Sequence, residues 1–313
     1  MNPIVSIFNF FKKHTKKQLG GAAAYVALFI VCIGWGTTWL ASKNAIQAPM
    51  NVWQIAGIRQ FLGGAIYVTY FLIKGHRLPK GVEWKAIIIL AFLNFICSNG
   101  LSTYSVKYLD SGIGAVLGAL YPIWLLIITA IFYKANALKP IGVAGIVIGF
   151  IGVLIVFYPK FGMAQNSLVW LGILLCTTST ITWAFGSIYT KKKAKAFNAY
   201  FSIGLQMVIS AVITTGYSWA SGQAVSYLAI PLQVWLNIIY LVVVGSLICF
   251  MCFLYCLQRM TPSQVSVYAY INPIVAIFVG WWLGGEGANI YVFAGSFIAL
   301  AGVFIVQLST KNI

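Results

Sequence analysis

The chain has 313 residues, of which 61% are hydrophobic and 7% are charged, and its formal net charge is +17. A water-soluble domain needs a polar exterior, so this composition excludes one and requires lipid to cover most of the surface. The apolar runs are continuous rather than alternating, which excludes a membrane β-barrel. The composition therefore predicts an all-α membrane protein.

The N-terminal segment, residues 1–21, places an apolar stretch before a group of lysines. A secretory signal has the opposite order, with its positive charges first. We therefore expect this segment to be retained as a cytoplasmic or interfacial piece of chain that lies on the membrane surface.

Ten continuous apolar runs follow, each about 20 residues long, which is the length that a helix needs to cross roughly 30 Å of hydrocarbon. With approximate ends, the runs are 22–42, 52–73, 85–106, 111–133, 140–158, 167–189, 198–219, 232–256, 263–283 and 289–308. The connections between them are too short to fold separately. The sequence predicts ten transmembrane helices and no soluble domain.

The positive charges are distributed unevenly between the connections. If both termini are cytoplasmic, 16 of the 20 lysines and arginines fall on the inner side, and only Lys43, Lys107 and Lys160 fall outside. The remaining one, Arg59, lies within the second run. This bias predicts an N-in, C-in topology. Orientation and anionic membrane lipids account for the net charge, so no nucleic-acid partner is expected.

Residues 104–122 are echoed by residues 255–273. In both copies an apolar run ends in Tyr, a short polar break follows, and a Pro comes 18 residues after that Tyr. Five runs per copy, an odd number, place the second half in the membrane upside down. The chain thus divides into a first repeat, 22–160, an inverted second repeat, 161–308, and a cytoplasmic tail, 309–313. Inverted repeats are typical of secondary transporters, although channels and membrane enzymes also carry repeats.

The sequence contains little that would support a metal site, a cofactor site or a catalytic site. All six cysteines fall inside apolar runs, and Cys249, Cys252 and Cys256 share one helix face without a His or an acid beside them. Such cysteines are predicted to be small hydrophobic residues rather than metal ligands. No motif of a hydrolase, a metalloprotease or a P-loop is present. We expect no cofactor, no metal and no enzymatic activity.

Several short motifs lie at characteristic places along the runs. They are the Trp35–Gly36 pair, Arg59 within WQIAGIR, the prolines of the fourth and ninth runs, and the GGE that ends in Glu286. This arrangement resembles the EamA branch of the drug/metabolite transporter superfamily over nearly the whole chain. The resemblance implies a ten-helix bundle with a central cavity that moves small metabolites, often amino acids, across the bacterial inner membrane. The chain departs from it after the fourth run, where the family commonly has an acid and this sequence has Lys134.

The acidic residues are few and lie away from the middle of the runs. Glu83, Asp110 and Glu286 are at run ends or in loops, and neither histidine is in a run. A proton-driven carrier usually holds a carboxylate or His inside the bundle. We therefore favour facilitated diffusion or substrate exchange over a cation-drug antiporter.

Arg59 is the one charge deep within a run. A charge at that depth faces a cavity or a partner, because lipid exposure costs several kcal/mol. Two interpretations remain open: Arg59 ties helices together or snorkels outward, or it attracts a substrate carboxylate or phosphate.

Aromatic and amide side chains near the middle of the runs complete the candidate site. The predicted substrate-binding residues are Trp35, Thr38, Trp39, Arg59, Asn94, Asn99, Tyr121, Trp124, Trp183, Tyr189, Gln206, Tyr270 and Asn272. Packing or interface belts are the alternative for the aromatic residues, and bonds between helices for the asparagines. Pro122 and Pro273 are predicted hinges or gates, because each proline frees a backbone carbonyl.

These observations predict an inner-membrane secondary transporter that exports or exchanges small metabolites, amino-acid-like or organic anions, by alternating access. Its partners are a small-molecule substrate and membrane lipids. A flippase for lipid-linked substrates and a passive channel are the alternatives. Both a monomer and a homodimer remain open.

Overall fold

The computed structural model describes residues 21–46, 50–133, 140–161, 167–193, 197–260, 265, 267–287 and 289–310. Over these residues the regular structure is entirely helical. The helices are α1 Ala22–Ile46, α2 Val52–Ile73, α3 Val82–Ser105, α4 Ser111–Ala119 with Tyr121–Tyr133, α5 Pro140–Phe161, α6 Ser167–Lys193, α7 Ala199–Ala220, α8 Leu232–Tyr240 with Leu241–Ile248 and Cys249–Arg259, α9 Tyr268–Gly284, and α10 Ile290–Thr310.

Eight of these helices, α1 to α8, are long and apolar enough to cross a membrane. The apolar stretches of α9 and α10, residues 268–284 and 290–306, are shorter. Residues 263, 264 and 266 of the predicted ninth run lie outside the described residues, as do residues 1–20 and 311–313 of the predicted terminal segments. The structure thus confirms an all-helical membrane protein with eight candidate spans and two shorter apolar helices.

Successive helices run in opposite directions, so their ends collect at two faces of the bundle. At one face, here called the Lys43 end, Lys43 in the last turn of α1 contacts Asp110 before α4 and Glu286 after α9. At the opposite face, the Arg77 end, the Cys256 thiol near the end of α8 donates to the Ala24 carbonyl at the start of α1, with 3.5 Å between the two atoms.

The second helix of each repeat begins in the same way. Asn51 caps α2 by accepting a hydrogen bond from the Trp53 amide at 2.7 Å. Asn198 caps α7 by accepting from the Tyr200 and Phe201 amides at 3.0 and 3.1 Å. An Asn side chain satisfies amides that a helix start leaves unpaired. The repeat therefore extends to the residues that start corresponding helices.

The last helices of the two repeats, α5 and α10, pack backbone against backbone. A Cβ atom on Gly145 would lie 2.8 Å from the Gly302 carbonyl oxygen, and one on Gly295 would lie 2.6 Å from the Gly152 carbonyl oxygen. Small residues let membrane helices approach this closely. The close pairs are Gly145 with Gly302 and Gly152 with Gly295, so the two helices pack in an antiparallel arrangement.

The prolines that match in sequence occupy different positions in their helices. α4 breaks at Leu120, and Pro122 is the second residue of the part that continues. The first turn of a helix tolerates proline, because its amides have no partner there. Pro273 is the sixth residue of α9, where its ring removes the bond to the Ala269 carbonyl. The two repeats are therefore not identical around their prolines.

Candidate functional site

A buried group of polar side chains lies where α1, α2, α3, α7 and α8 meet. Its charged member is Arg59, which is 7% exposed and donates from Nε to the Ser246 hydroxyl oxygen at 3.1 Å. The Thr38 methyl group and an Arg59 terminal nitrogen both face Gly245, where a Cβ would lie 3.1 and 2.9 Å from them. Predicted residues Thr38 and Arg59 thus meet at α8.

The charge of Arg59 has no carboxylate beside it in the described part of the chain. The protein has only three acids. Glu83 pairs with Arg77 at 2.7 Å, while Asp110 and Glu286 pair with Lys43 at 2.9 and 3.0 Å. A buried cation without a neutralising partner is costly, and this cost is the usual mark of a functional charge within a membrane.

The polar group surrounds two π-helical segments at corresponding places in the repeats, Ala91–Gly100 in α3 and Leu241–Ile248 in α8. A π-helical turn shifts carbonyls out of the regular ladder and is frequent at functional sites. Side chains from α1 and α2 donate to these carbonyls. The Trp35 indole bonds Gly245 O at 3.1 Å, the Tyr67 hydroxyl bonds Ser246 O at 3.2 Å and Leu247 O at 3.1 Å, and the Gln60 amide bonds Phe95 O at 3.2 Å.

A chain of amides connects α3 with α2 and α7. Asn94 donates to Gln206 Oε1 at 3.2 Å, Gln206 donates to Ser202 Oγ at 2.9 Å, and Gln60 donates to Asn99 Oδ1 at 3.4 Å. Asn94, Asn99 and Gln206 thus bond neighbouring helices. Two acceptors, Gln60 Oε1 and Asn94 Oδ1, are buried without a hydrogen-bond partner among the described residues. Such atoms are rare in folded proteins and call for an explanation.

Aromatic side chains cover the polar group on the side toward the Arg77 end. The Trp35 ring lies 5.3 Å from Phe250, 5.1 Å from Phe253 and 5.4 Å from Tyr268, measured between ring centroids. Trp35 and Trp183 both pack against the buried cluster that contains Phe95 and Phe250. Trp35 and Trp183, which the sequence predicts from different repeats, therefore lie in one aromatic cluster.

The other predicted residues lie farther out. Trp39 packs over Gly114 and Gly118 of α4, where Cβ atoms would come within 2.8 and 3.0 Å of its ring. Tyr121 is half-buried where α4 continues after its break, and Tyr189 is half-buried near the end of α6.

Three further predicted residues leave buried polar atoms without a partner in the described part of the chain: Trp124 Nε1, Tyr270 Oη and Asn272 Oδ1. Trp124 and Tyr270 pack in an apolar core beside Phe150 and Phe304, with ring centroids 5.7 and 6.2 Å apart. This core lies against α5 and α10 rather than against Arg59. The backbone oxygen of Asn272 lies beside Gly36 of α1.

Sequence reasoning missed Gln60, Tyr67, Ser246 and Tyr268. Gln60 and Tyr67 are seven residues apart on α2, so they share a face of that helix. Ser246 is the polar side chain within the apolar sequence of the α8 π-helical segment. A polar residue in such a run is a signal in itself, because lipid exposure would be costly.

Replacing Tyr67 with phenylalanine is expected to lower the free energy of unfolding by about 1 kcal/mol, because the ring stays and the bonds to the α8 carbonyls are lost. Thermal unfolding in detergent measures the change. Tyr70→Phe is the matched control, since Tyr70 is on the same helix and is 55% exposed. Equal shifts for the two variants would contradict a supporting role for the Tyr67 hydroxyl.

Comparison with known proteins gives the context of this site. The model of the EamA-like transporter family matches the chain twice, over residues 22–158 and 170–308. The chain belongs to the EamA-like transporter family. As a member, it is a multi-pass membrane transporter of the drug/metabolite transporter superfamily, and the double match shows that the family unit is repeated.

Relatives of this EamA-family chain carry transporter names. A protein of Escherichia coli (strain K12), described as the uncharacterized inner membrane transporter YedA, is 28% identical over 83% of this chain and 82% of its own length. The uncharacterized transporter YvbV of Bacillus subtilis (strain 168) is 25% identical over 94% and 95%. One solved crystal structure matches 94% of this chain and 100% of its own at a TM-score of 0.65 and 16% identity, which supports the fold alone.

Proposed function

We propose that this EamA-family protein is a secondary transporter of the bacterial inner membrane that exports or exchanges small metabolites. Its substrates are amino-acid-like or organic anions, and they pass by alternating access through a cavity between two inverted five-helix repeats. The observation that carries the proposal is Arg59, a buried cation with no carboxylate partner in the described residues. A substrate carboxylate supplies the charge that Arg59 lacks.

In the proposed topology, α9 and α10 are the ninth and tenth spans and both termini are cytoplasmic. The supporting observation is the distribution of lysine and arginine, 16 on the inner side and three on the outer side. This orientation makes the Lys43 end the outer face of the bundle. The relative from Escherichia coli is described as an inner membrane protein, in agreement with the proposed location.

The two π-helical segments support a site near the midplane, between the repeats. Transporters with inverted repeats bind substrate where helices are interrupted, because freed backbone groups reach the ligand there. Gln60 Oε1 and Asn94 Oδ1 are acceptors without a partner among the described residues. In the proposed mechanism these oxygens accept from substrate N–H or O–H groups when the helices separate, while Arg59 holds the anionic group.

Exchange or facilitated diffusion is the proposed mode. The three acids form their ion pairs near helix ends, and Arg59 itself stays protonated at physiological pH. Coupling to a proton gradient would need a titratable group that is loaded and released within the bundle. The movement of substrate along its own gradient, or against a second substrate, needs no such group.

The test is the uptake of labelled metabolites into proteoliposomes that contain the purified protein, across a panel of amino acids, dicarboxylates and sugar phosphates. We expect saturable uptake of one anionic class. Flux that rises linearly with concentration would identify a channel, and inactivity toward the panel together with movement of a lipid-linked sugar would identify a flippase. Liposomes without protein set the background.

A further inference from the structure

The Lys43 end of the bundle is held together by a small ionic network between the repeats. The Lys43 ammonium contacts Asp110 Oδ1 at 2.9 Å and Glu286 Oε1 at 3.0 Å. The Glu286 side chain is only 8% exposed, so water screens this pair less than an ordinary surface pair. Lys43 and Asp110 belong to the first repeat and Glu286 to the second.

The Glu286 carboxylate also caps the N-terminus of α4, a helix of the other repeat. The Ser111 amide donates to Oε1 at 2.7 Å, and the Ser111 hydroxyl and the Gly112 amide donate to Oε2 at 2.8 and 3.3 Å. Asp110, at the N-cap position of this helix, makes no side-chain capping bond. The helix N-terminus therefore receives its anion from the other half of the protein.

Local chain geometry holds the Glu286 carboxylate in place. Gly285 adopts a φ of 63°, the left-handed conformation that ends α9, and the Glu286 amide bonds the Gly280 carbonyl at 3.0 Å. Gly280 leaves the space in which the carboxylate lies, since a Cβ there would contact Glu286 Oε2 and come within 2.8 Å of Ser111 Oγ. The turn after α9 thus places the Glu286 carboxylate beside Gly280 and Ser111.

The Arg77 end is built differently in the described residues. Its ion pair there, Arg77 with Glu83 at 2.7 Å, connects the loop after α2 with the first turn of α3 in one repeat, and the Arg77 side chain is 54% exposed. Such a pair stabilises a single hairpin, and the described contacts between the repeats at this end include uncharged rings, with Phe71 stacked on Phe201 at 5.5 Å and Arg77 over the Phe197 ring at 5.8 Å. The described ion pairs therefore connect the two repeats at the Lys43 end and not at the Arg77 end.

We propose that Glu286, together with Lys43 and Asp110, is the gate that closes the Lys43 end, and that the start of α4 leaves Glu286 when this end opens. The proposal rests on the alternating access of the proposed function. Movement of one repeat against the other must break the contacts that join them at the opening end. Here those contacts are the Lys43–Glu286 charge pair and three hydrogen bonds to the Glu286 carboxylate, while Asp110 pairs with Lys43 within the first repeat.

The test uses a cysteine reporter beneath the gate, in a background where the six native cysteines are replaced. Thr38→Cys is suitable, because Thr38 is buried and lies about 7.5 Å below Lys43 along α1, at 1.5 Å per residue. A membrane-impermeant methanethiosulfonate reagent is applied to spheroplasts and to inverted vesicles, and the labelling rate is measured. This readout needs no substrate.

Glu286→Gln in the reporter background is expected to speed labelling from the Lys43 side about tenfold, since it removes charge-assisted bonds that hold the end closed. Asp110→Asn leaves the Lys43–Glu286 pair and is expected to give a smaller rise. Glu83→Gln removes the ion pair at the Arg77 end and is the matched control, with unchanged labelling on the Lys43 side.

If a folded Glu286→Gln variant shows an unchanged rate of reporter labelling from the Lys43 side, the proposal that Glu286 is part of a gate is wrong. If that variant does not fold, Asp110→Asn decides, and labelling equal to that of Glu83→Gln would overturn the proposal as well. Failure of the proposed function is read separately, as absent uptake by the unmodified protein in proteoliposomes. The two failures are therefore distinguishable.

Discussion

Replacing Arg59 with glutamine is expected to weaken the binding of an anionic substrate by about 100-fold, because a charge-assisted hydrogen bond in a water-excluded site contributes up to about 3 kcal/mol. The substitution leaves a side chain that still reaches toward Ser246 and removes a buried charge that lacks a described carboxylate partner. The chain is therefore expected to fold at least as well as the unmodified protein. The half-saturation concentration for uptake measures the effect.

Two control variants separate recognition from helix tethering. Ser246→Ala removes the hydrogen-bond partner of Arg59 and keeps its charge, so we expect only a small change in substrate affinity. Arg77→Gln removes a charge of the same kind at an exposed position, and uptake is expected to be unchanged. If Ser246→Ala and Arg59→Gln weaken binding equally, Arg59 acts by tying α2 to α8, and the substrate role is wrong.

Replacing Gly302 with valine is expected to lower the free energy of unfolding by about 3 kcal/mol or more, because overpacking of a tight contact forces backbone shifts. A Cβ at this position meets the Gly149 backbone and lies 2.7 Å from the Gly145 carbonyl oxygen. Backbone atoms cannot turn aside as a side chain can. Thermal unfolding in detergent, together with the yield of folded protein, measures the loss.

Gly216→Ala is the matched control for the glycine contact. Gly216 lies within α7, and a Cβ there has no heavy atom within 4 Å. An alanine in a helix stabilises it by roughly 0.5–1 kcal/mol relative to glycine, so this variant is expected to unfold at the same temperature or higher. If Gly302→Val unfolds at the same temperature as Gly216→Ala, the close contact between α5 and α10 is not needed for stability.

The sequence predicts the helices well because a single physical requirement sets their length. A span needs a continuous apolar run, so the limits of α2, 52–73, agree with the structure. The sequence also marks Arg59 as a deep charge, since no other lysine or arginine lies away from the ends of a run. The π-helical segments of α3 and α8 could not be predicted, because they depend on Trp35, Gln60 and Tyr67 reaching across from other helices to hold the displaced carbonyls.

Helix rotation limits the prediction of the site. Trp124 and Tyr270 are mid-helix aromatic residues beside prolines, as a pocket residue would be, but they face α5 and α10. In an almost uniformly apolar helix, periodicity does not show which face is turned inward. Glu286 illustrates the same limit: its position after α9 is visible in the sequence, whereas its bond to the start of α4 depends on how the repeats pack.

Counterflow in proteoliposomes tests the central claim, alternating access with anion recognition by Arg59, most directly. Vesicles are loaded with unlabelled substrate, and the entry of labelled substrate at trace concentration is followed for the unmodified protein and for Arg59→Gln. We predict transient accumulation above equilibrium with the unmodified protein, and its loss in Arg59→Gln at the same substrate concentration. Entry that is unaffected by internal substrate, or equal accumulation by the two proteins, would contradict the account.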